Sequence, residues 1–469
     1  MIELRDYQQH GADGIRASFR AGKNKVLFVG PTGMGKTVLF SYIAYSAAAR
    51  GNRVTIGAHR EELLHQISGA LGRFGVHHGL ISPQFSPDPR ALVQVASVDT
   101  LLSRLKKRDF PTDLLIMDEA HHVLPTNKWG KVYDGVRPKR LLGVTASPIR
   151  SDGKGLGVVA GGLFEDLIEV ITVRELIERG FLVRPVVYVP PSTLDLSGVK
   201  VARGDYDRGE LAERVDKPQI TGSAVEHYAK ICPGTPAVVF AVSVAHAEHV
   251  ASQFQAAGFN FRVVHGSMDS AVRKGIIRSL GNGVDGVVSC DILGEGVDVP
   301  AIGCAIFLRP TQSLGLYIQQ AGRALRPADG KEFAIILDHV GNTLKHGLLD
   351  LEREWTLEGV KRKKRRKKDE QDEDAIKLKQ CTSCFVVHSP APVCPACGHV
   401  YPVSSRQLEQ VEGELQQITP EMAERMKADK RREVSSARTL DELEAIAKAR
   451  GYNKTWASHV FTARARKRA

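Results

Sequence analysis

KVLFVGPTGMGKTVLFSYIAYSAAA, residues 25–49, decides the fold. An apolar run of strand length, 25–30, enters a glycine-rich turn and leaves it as an apolar stretch of helical length. The turn, 30–37, matches GxxxxGK[ST] in the strand-to-helix context that this pattern requires. Glycines let successive backbone N–H groups point inward at phosphate oxygens. The N-terminus of the helix behind them adds a favourable dipole. Lys36 would reach the β- and γ-phosphates of ATP, and the Thr37 hydroxyl would ligate magnesium. The expected nucleotide-binding segment is therefore Gly30, Pro31, Thr32, Gly33, Met34, Gly35, Lys36 and Thr37.

The same alternation continues outward. Strand-like apolar runs recur at 53–58, 91–97, 113–118 and 140–145, with helix-like sequence between them. The pattern restarts after about residue 220, with runs at 237–242, 260–266, 286–291, 304–309 and 333–338. Strand–helix alternation implies mostly parallel sheets with helices on both faces. Two α/β lobes follow, expected at 1–190 and 191–358, with prolines interrupting the pattern near 187–198. The polar segment 199–220 fits no motif, and it is a place where a strand-separating element could sit.

One lobe-one run ends in chemistry. LLIM leads into DEAH, 118–121. A strand that carries Asp to its C-terminal edge sets it beside the phosphate loop in sheets of this kind. Asp118 is then a magnesium holder. Glu119 is the candidate general base that orients and deprotonates the attacking water. An Asp-Glu pair by itself is an ordinary solvated feature; its place at the end of a buried strand behind a phosphate loop is what singles this one out.

Bulk properties agree with an anionic partner. The 469 residues carry a formal net charge of +12, which favours nucleic acid. No stretch approaches the roughly 18 unbroken apolar residues of a membrane helix. The polar N-terminus does not read as a secretory signal. The expected location is the cytoplasm, bacterial or that of a phage host, with no membrane partner. Seven cysteines in a chain of this length do not make a disulfide framework. Cys232, Cys290 and Cys304 sit among apolar residues and read as reduced core residues.

Taken together, the phosphate loop and DEAH resemble the superfamily 2 helicases of the DEAH-box kind, in particular stand-alone bacterial and phage forms near the XPB and restriction-motor branch. The resemblance covers 2–358 and extends through paired cysteines to about 402. It implies two tandem RecA-like parallel-sheet lobes. LRDYQ, 4–8, is similar to the adenine-reading segment, with Arg5 and Gln8 as the implied base contacts. AHREELLHQ, 58–66, and ASVDTL, 96–101, resemble strand-contacting motifs, which implies nucleic-acid roles for His59, Arg60 and Thr100. His59 also reads as a satisfied core histidine. VTASP, 144–148, resembles the motif that couples hydrolysis to nucleic-acid binding, so Thr145, Ser147 and His121 become coupling residues. Ser147 stands where threonine is common; its hydroxyl is retained. HGSM, 265–268, and SCDILGEGVDVP, 289–300, resemble second-lobe motifs, with Asp298 as the implied ribose contact. YIQQAGRALRP, 317–327, is similar to QxxGRxxR, giving Gln319, Gly322, Arg323 and Arg326.

That division has a consequence. The first lobe holds phosphates and magnesium, and the second presents Arg323 and Arg326, three apart on what reads as one helix face. Guanidinium groups suit the charge that spreads over a transferring phosphoryl group. Hydrolysis would then be fast only when the lobes close, and nucleic acid spanning both would favour closure. The expected function is an ATP-dependent helicase, with DNA favoured over RNA. A double-strand translocase without strand separation and an ATP-gated nucleic-acid adaptor are the alternatives.

Behind the lobes, 359–378 reads as a charged linker, with KRKKRRKK at 361–368 meeting DEQDED at 369–374. Cys381-x-x-Cys384 and Cys394-x-x-Cys397 then make two knuckles within 379–402. Four thiolates at this spacing suit tetrahedral Zn2+ in a small ribbon, which the metal would hold together. Residues 405–469 read as a helical basic tail, with Thr439 an N-cap and Trp456 in a possible docking segment. Ribbon and tail are the candidate surfaces for a protein partner.

Overall fold

A computed structural model describes residues 3–150, 153–189, 196, 198–202, 205–216, 218–290, 302–359, 378–381, 383–384, 386–401, 436–437, 439–449, 457–458 and 460–461. Asp298, the charged run with its acidic block, the stretch 402–435, Trp456 and the basic tip lie outside the described residues.

Buried apolar runs build the first sheet: β1 (Lys25–Val29), β2 (Val54–Ala58), β3 (His78–Ile81), β4 (Val93–Ser97), β5 (Leu114–Asp118), β6 (Arg140–Thr145) and β7 (Asp166–Glu169). All seven are parallel, in the order β3-β4-β2-β5-β6-β1-β7. Every residue of β2 and β5 is buried. Side chains alternate across the pleat. Leu114 and Ile116 therefore join one core while Leu115 and Met117 join the other, on the opposite face.

A second sheet forms from β8 (Arg184–Tyr188), β11 (Ala237–Phe240), β12 (Phe261–Val264), β13 (Gly286–Ser289), β14 (Cys304–Phe307), β15 (Phe333–Asp338), β16 (Lys379–Gln380) and β17 (Val386–His388); β9 (Val201–Ala202) and β10 (Asp205–Tyr206) form a separate hairpin between β8 and β11 in sequence. The sheet order is β12-β13-β11-β14-β15-β8-β17-β16. From β12 to β8 the strands are parallel; β17 joins β8 antiparallel and β16 joins β17 antiparallel. Two findings stand out. Arg184–Tyr188, within the stretch expected to belong to the first lobe, pairs with β15 and belongs to the second sheet. The cysteine hairpin is not a separate bead, because β17 continues that sheet.

The segment Pro402–Ala469 is a unit of its own. Its helix Leu440–Ala449 buries Leu443 and Ala447 with Ala437 and Ala457. Thr439 caps it: its Oγ1 accepts from Glu442 N at 3.3 Å, and its own N–H donates to the Glu442 carboxylate at 3.1 Å. Among the described residues, no helix is long and apolar enough to cross a membrane.

Candidate active site

β1 delivers the phosphate loop to the C-terminal edge of the first sheet, and the helix Lys36–Ala48 leaves from it. The loop can turn because Gly33 and Gly35 adopt φ of 92° and 86°, in the region that side chains disfavour. A side chain there would also have to displace Gln8: a Cβ on Gly35 would lie 2.5 Å from Gln8 Nε2. Lys36 Nζ donates to the carbonyls of Gly30 at 3.1 Å and Pro31 at 3.3 Å. Burial pushes the Lys36 ammonium pKa down, while Glu119 and Asp118 pull it back up and Arg323 and Arg326 depress it. One enclosed charge cluster thus draws on both lobes.

β5 sets Asp118 at the same edge, with only β6 between it and β1. Asp118 is buried, and its Oδ1 accepts from the Glu119 N–H at 3.0 Å. Glu119 itself is left-handed, φ 51°, a conformation that costs a non-glycine residue on the order of 1 kcal/mol or more. That twist turns its carboxylate into the cleft, where Oε2 accepts from Gln319 Nε2 of the second lobe at 3.2 Å. His121 Nδ1 lies 3.4 Å from the same oxygen and 3.1 Å from Thr145 Oγ1. Thr145 Oγ1 in turn donates to the Ser147 carbonyl at 3.0 Å and accepts from its N–H at 3.2 Å. The residues named for coupling therefore form one chain from Glu119 to the lobe boundary. There Ser147 abuts Gly315, where a Cβ would come 2.6 Å from Ser147 Oγ.

The second lobe approaches closely. A Cβ on Gly322 would lie 2.9 Å from Thr32 Cβ, so the glycine in QxxGRxxR lets this segment rest on the phosphate loop. Arg323 and Arg326 do not lie on the helix itself, which runs Leu314–Ala321. They follow it in tighter turns, with Arg323 N–H donating to Gln320 O and Ala324 N–H to Ala321 O. Such turns repeat every three residues or so, which keeps the two guanidinium groups on one side. Both line a cleft of about 370 Å³ with Lys36, Thr37, Asp118, Glu119 and Gln319. Away from the cleft, Arg273 and Glu62 pair across the lobes at 2.6 Å.

Gln8 is buried and occupied by the loop. Its Nε2 donates to Met34 O at 3.0 Å, and its Oε1 accepts from Arg5 N–H at 3.0 Å. The Arg5 guanidinium lies 4.0 Å from the centre of the Phe181 ring, and both line the cleft. No motif flags Phe181 in the sequence. His59 joins a cluster of rings, edge-on to His122 at 5.3 Å, and His122 lies tilted 4.1 Å from His121. Arg60 Nε donates to His59 Nε2 at 3.2 Å. Thr100 is half-buried on the helix Val98–Leu105, apart from the cleft lining.

The sulfurs of Cys381, Cys384, Cys394 and Cys397 all lie within 4.8 Å of one another, with two separations of 3.7 Å. A tetrahedral ion with metal–sulfur bonds of about 2.3 Å needs sulfur–sulfur edges near 3.8 Å, so the thiols fit such a metal. Gly398, at φ 73°, forms the second knuckle's turn. Burial opposes ionisation of Cys381, but N–H groups of Cys384 and Ser383 aimed at its sulfur bring the thiol down to about 5.

Comparison with known proteins agrees. Residues 1–150 match the family described as "Type III restriction enzyme, res subunit", and 223–328 match "Helicase conserved C-terminal domain". A "51.5 kDa protein" of a Lactococcus phage (isolate 7-9) is 31% identical over 396 residues, covering 83% of this chain and 82% of that protein. "Putative ATP-dependent helicase IRC3" of Saccharomyces cerevisiae is 29% identical over 364 residues, 72% of this chain; the match spans 51% of the yeast protein's length. Among solved structures, a fragment of a putative HsdR subunit of a type I restriction enzyme from Vibrio vulnificus has the same fold, with a TM-score of 0.58 at 21% identity over 73% of this chain and 65% of that one. With both family models matched, the relatives aligned along most of this chain, and both halves of the motif set meeting at one cleft, the chain belongs to the superfamily 2 helicases and is an ATP hydrolase of that family.

Proposed function

We propose that the chain is a motor on nucleic acid, with DNA as its track, in which hydrolysis between the lobes drives translocation and strand separation. The observation that carries this is the cleft itself, where Lys36 of one lobe faces Arg323 and Arg326 of the other. In this reading Lys36 and the loop amides of 30–37 grip the β- and γ-phosphates. Thr37 and Asp118 would hold magnesium, which neutralises phosphate charge. Glu119 takes the proton of the attacking water, and Gln319, bonded to its carboxylate, reports that the second lobe is in place. Arg323 and Arg326 meet the charge that builds on the leaving phosphoryl oxygens, so turnover waits for closure. Loss of the γ-phosphate removes what both lobes hold, and they part. The adenine and ribose ends of the nucleotide fall to Arg5 and Asp298. His59, Arg60 and Thr100 lie on the nucleic-acid side, with His121, Thr145 and Ser147 linking that side to Glu119.

DNA is preferred because residues 1–150 match the restriction-enzyme family; the net charge of +12 favours nucleic acid of either kind. That same match favours a second reading, a double-strand translocase that moves without separating strands. ATP turnover measured with single-stranded DNA, duplex DNA, forked DNA and RNA is expected to rise several-fold with DNA and least with RNA. Release of a labelled strand from the fork then distinguishes unwinding from translocation alone. Turnover indifferent to every nucleic acid would remove the motor reading.

The proposed domain plan keeps two lobes, a charged linker, the ribbon and a helical tail, in the cytoplasm, with the ribbon and tail as surfaces for a protein partner. Zinc is the proposed occupant of the four thiols. Metal analysis of purified protein should find zinc rather than iron, in one-to-one ratio. Because β17 hydrogen-bonds to β8, stripping it with a strong chelator should lower the melting temperature of the lobe-two transition and not only release the ribbon. Unaltered melting after complete zinc loss would show that the hairpin holds without the metal.

A further inference from the structure

Residues 199–216 match no motif, yet one of their side chains is built into the catalytic half of the second lobe. The second strand of the hairpin β9–β10 opens with Asp205, whose carboxylate leaves the hairpin for the loop behind β14. Its Oδ1 accepts from Gln312 N–H at 2.7 Å. Its Oδ2 accepts from Thr311 Oγ1 at 3.0 Å and from Arg309 Nη2 at 3.4 Å. From the other side, Asn342 Oδ1 accepts from Thr311 N–H and Asn342 Nδ2 donates to Arg309 O, both at 2.9 Å.

This doubly held loop leads directly into the arginine-bearing segment. Thr311 Oγ1, while donating to Asp205, accepts from Ser313 N–H at 3.0 Å, and Ser313 Oγ caps the helix Leu314–Ala321 by accepting from Leu316 N–H at 3.2 Å. That helix sets Gly315 on Ser147, Gln319 on Glu119 and Gly322 on Thr32 before the chain reaches Arg323. Eight residues span about 12 Å, so a small tilt at the capped end moves the far end by an amount comparable to an ångström.

We propose that Asp205, through Thr311 and Ser313, is a positioning residue for the helix that leads into Arg323, so that the segment between β8 and β11 tunes hydrolysis. This rests on the reading of Arg323 given above. A misplacement of about 1 Å at a catalytic group costs up to roughly 10²-fold in rate. Asp205→Ala is therefore expected to lower kcat for nucleic-acid-stimulated ATP turnover by roughly that factor, with KM for ATP little changed. Asp205→Asn, which keeps an acceptor for the Gln312 N–H, should fall between the two.

The deciding comparison is made in the full-length chain with Asp205→Ala, Arg323→Ala and the double variant, each with its melting curve. If Asp205 acts through Arg323, the double variant turns over no more slowly than Arg323→Ala alone. Lys36 and Glu119 remain in it, so a further loss stays measurable. Full kcat in Asp205→Ala, or losses that multiply in the double variant, would overturn the proposal. Should Asp205→Ala melt early, Asp205→Asn takes its place in the same comparison. Normal turnover by Arg323→Ala would instead overturn the reading of the cleft on which the proposal stands.

Discussion

Arg323→Ala is expected to slow ATP turnover by about 10³- to 10⁵-fold while ATP still binds. The side chain is buried at the cleft, in the same charge cluster as Lys36, and belongs to the lobe opposite the phosphate loop. In the proposed reading the ground-state nucleotide is held mainly by first-lobe groups, so binding should survive. Charge on the transferring phosphoryl group builds only in the transition state, and its stabiliser comes from across the cleft. Arg323→Lys should rescue little, because an ammonium is a point charge without the planar fork. Single-turnover hydrolysis with pre-bound ATP is the measurement. A rate within threefold or so of the native rate would mean that Arg323 only holds the lobes together.

Glu119→Gln should cost about 10²- to 10⁴-fold in hydrolysis, the range associated with a lost general base. The substitution is nearly isosteric, but it removes the basic oxygen that Gln319 Nε2 and His121 Nδ1 approach at 3.2 and 3.4 Å. Unlike the arginine variant, it leaves the cross-cleft cation in place. It should therefore accumulate as a closed, ATP-loaded protein that keeps its grip on the proposed nucleic-acid track, as nucleic-acid binding in the presence of ATP would register. If hydrolysis proceeds at the native rate, another group activates the water.

Much of this was legible in the residues, for physical reasons that also mark where legibility stops. Ten strands read as apolar runs, most of them because their residues are largely buried on both faces, as every residue of β2 and β5 is, although β12 exposes Arg262. Three longer strands without such a run have different surroundings. β3 alternates half-buried with buried residues, β7 is half-buried throughout, and β8 carries Pro185. Pro185 is tolerated because β17 pairs only with Val187 and Tyr188, so no ladder bond is needed from Pro185 on that side. The phosphate loop, DEAH and QxxGRxxR were visible because each is a compact run with its chemistry in consecutive positions. Contacts between distant segments were not. Ser147 against Gly315, Thr32 against Gly322, Glu62 with Arg273 and Asp205 with Thr311 join positions far apart in the chain. The helix expected to carry both arginines ends at Ala321, where the chain tightens.

The union of β17 with β8 has a mechanical corollary. A strand tied by backbone hydrogen bonds to its neighbour cannot swivel like a tethered bead. Any stroke that rotates the second lobe sweeps the thiol knuckles through the same arc, as an oar blade follows its shaft. Whatever docks on those knuckles would ride with each cycle and be shifted relative to the first lobe.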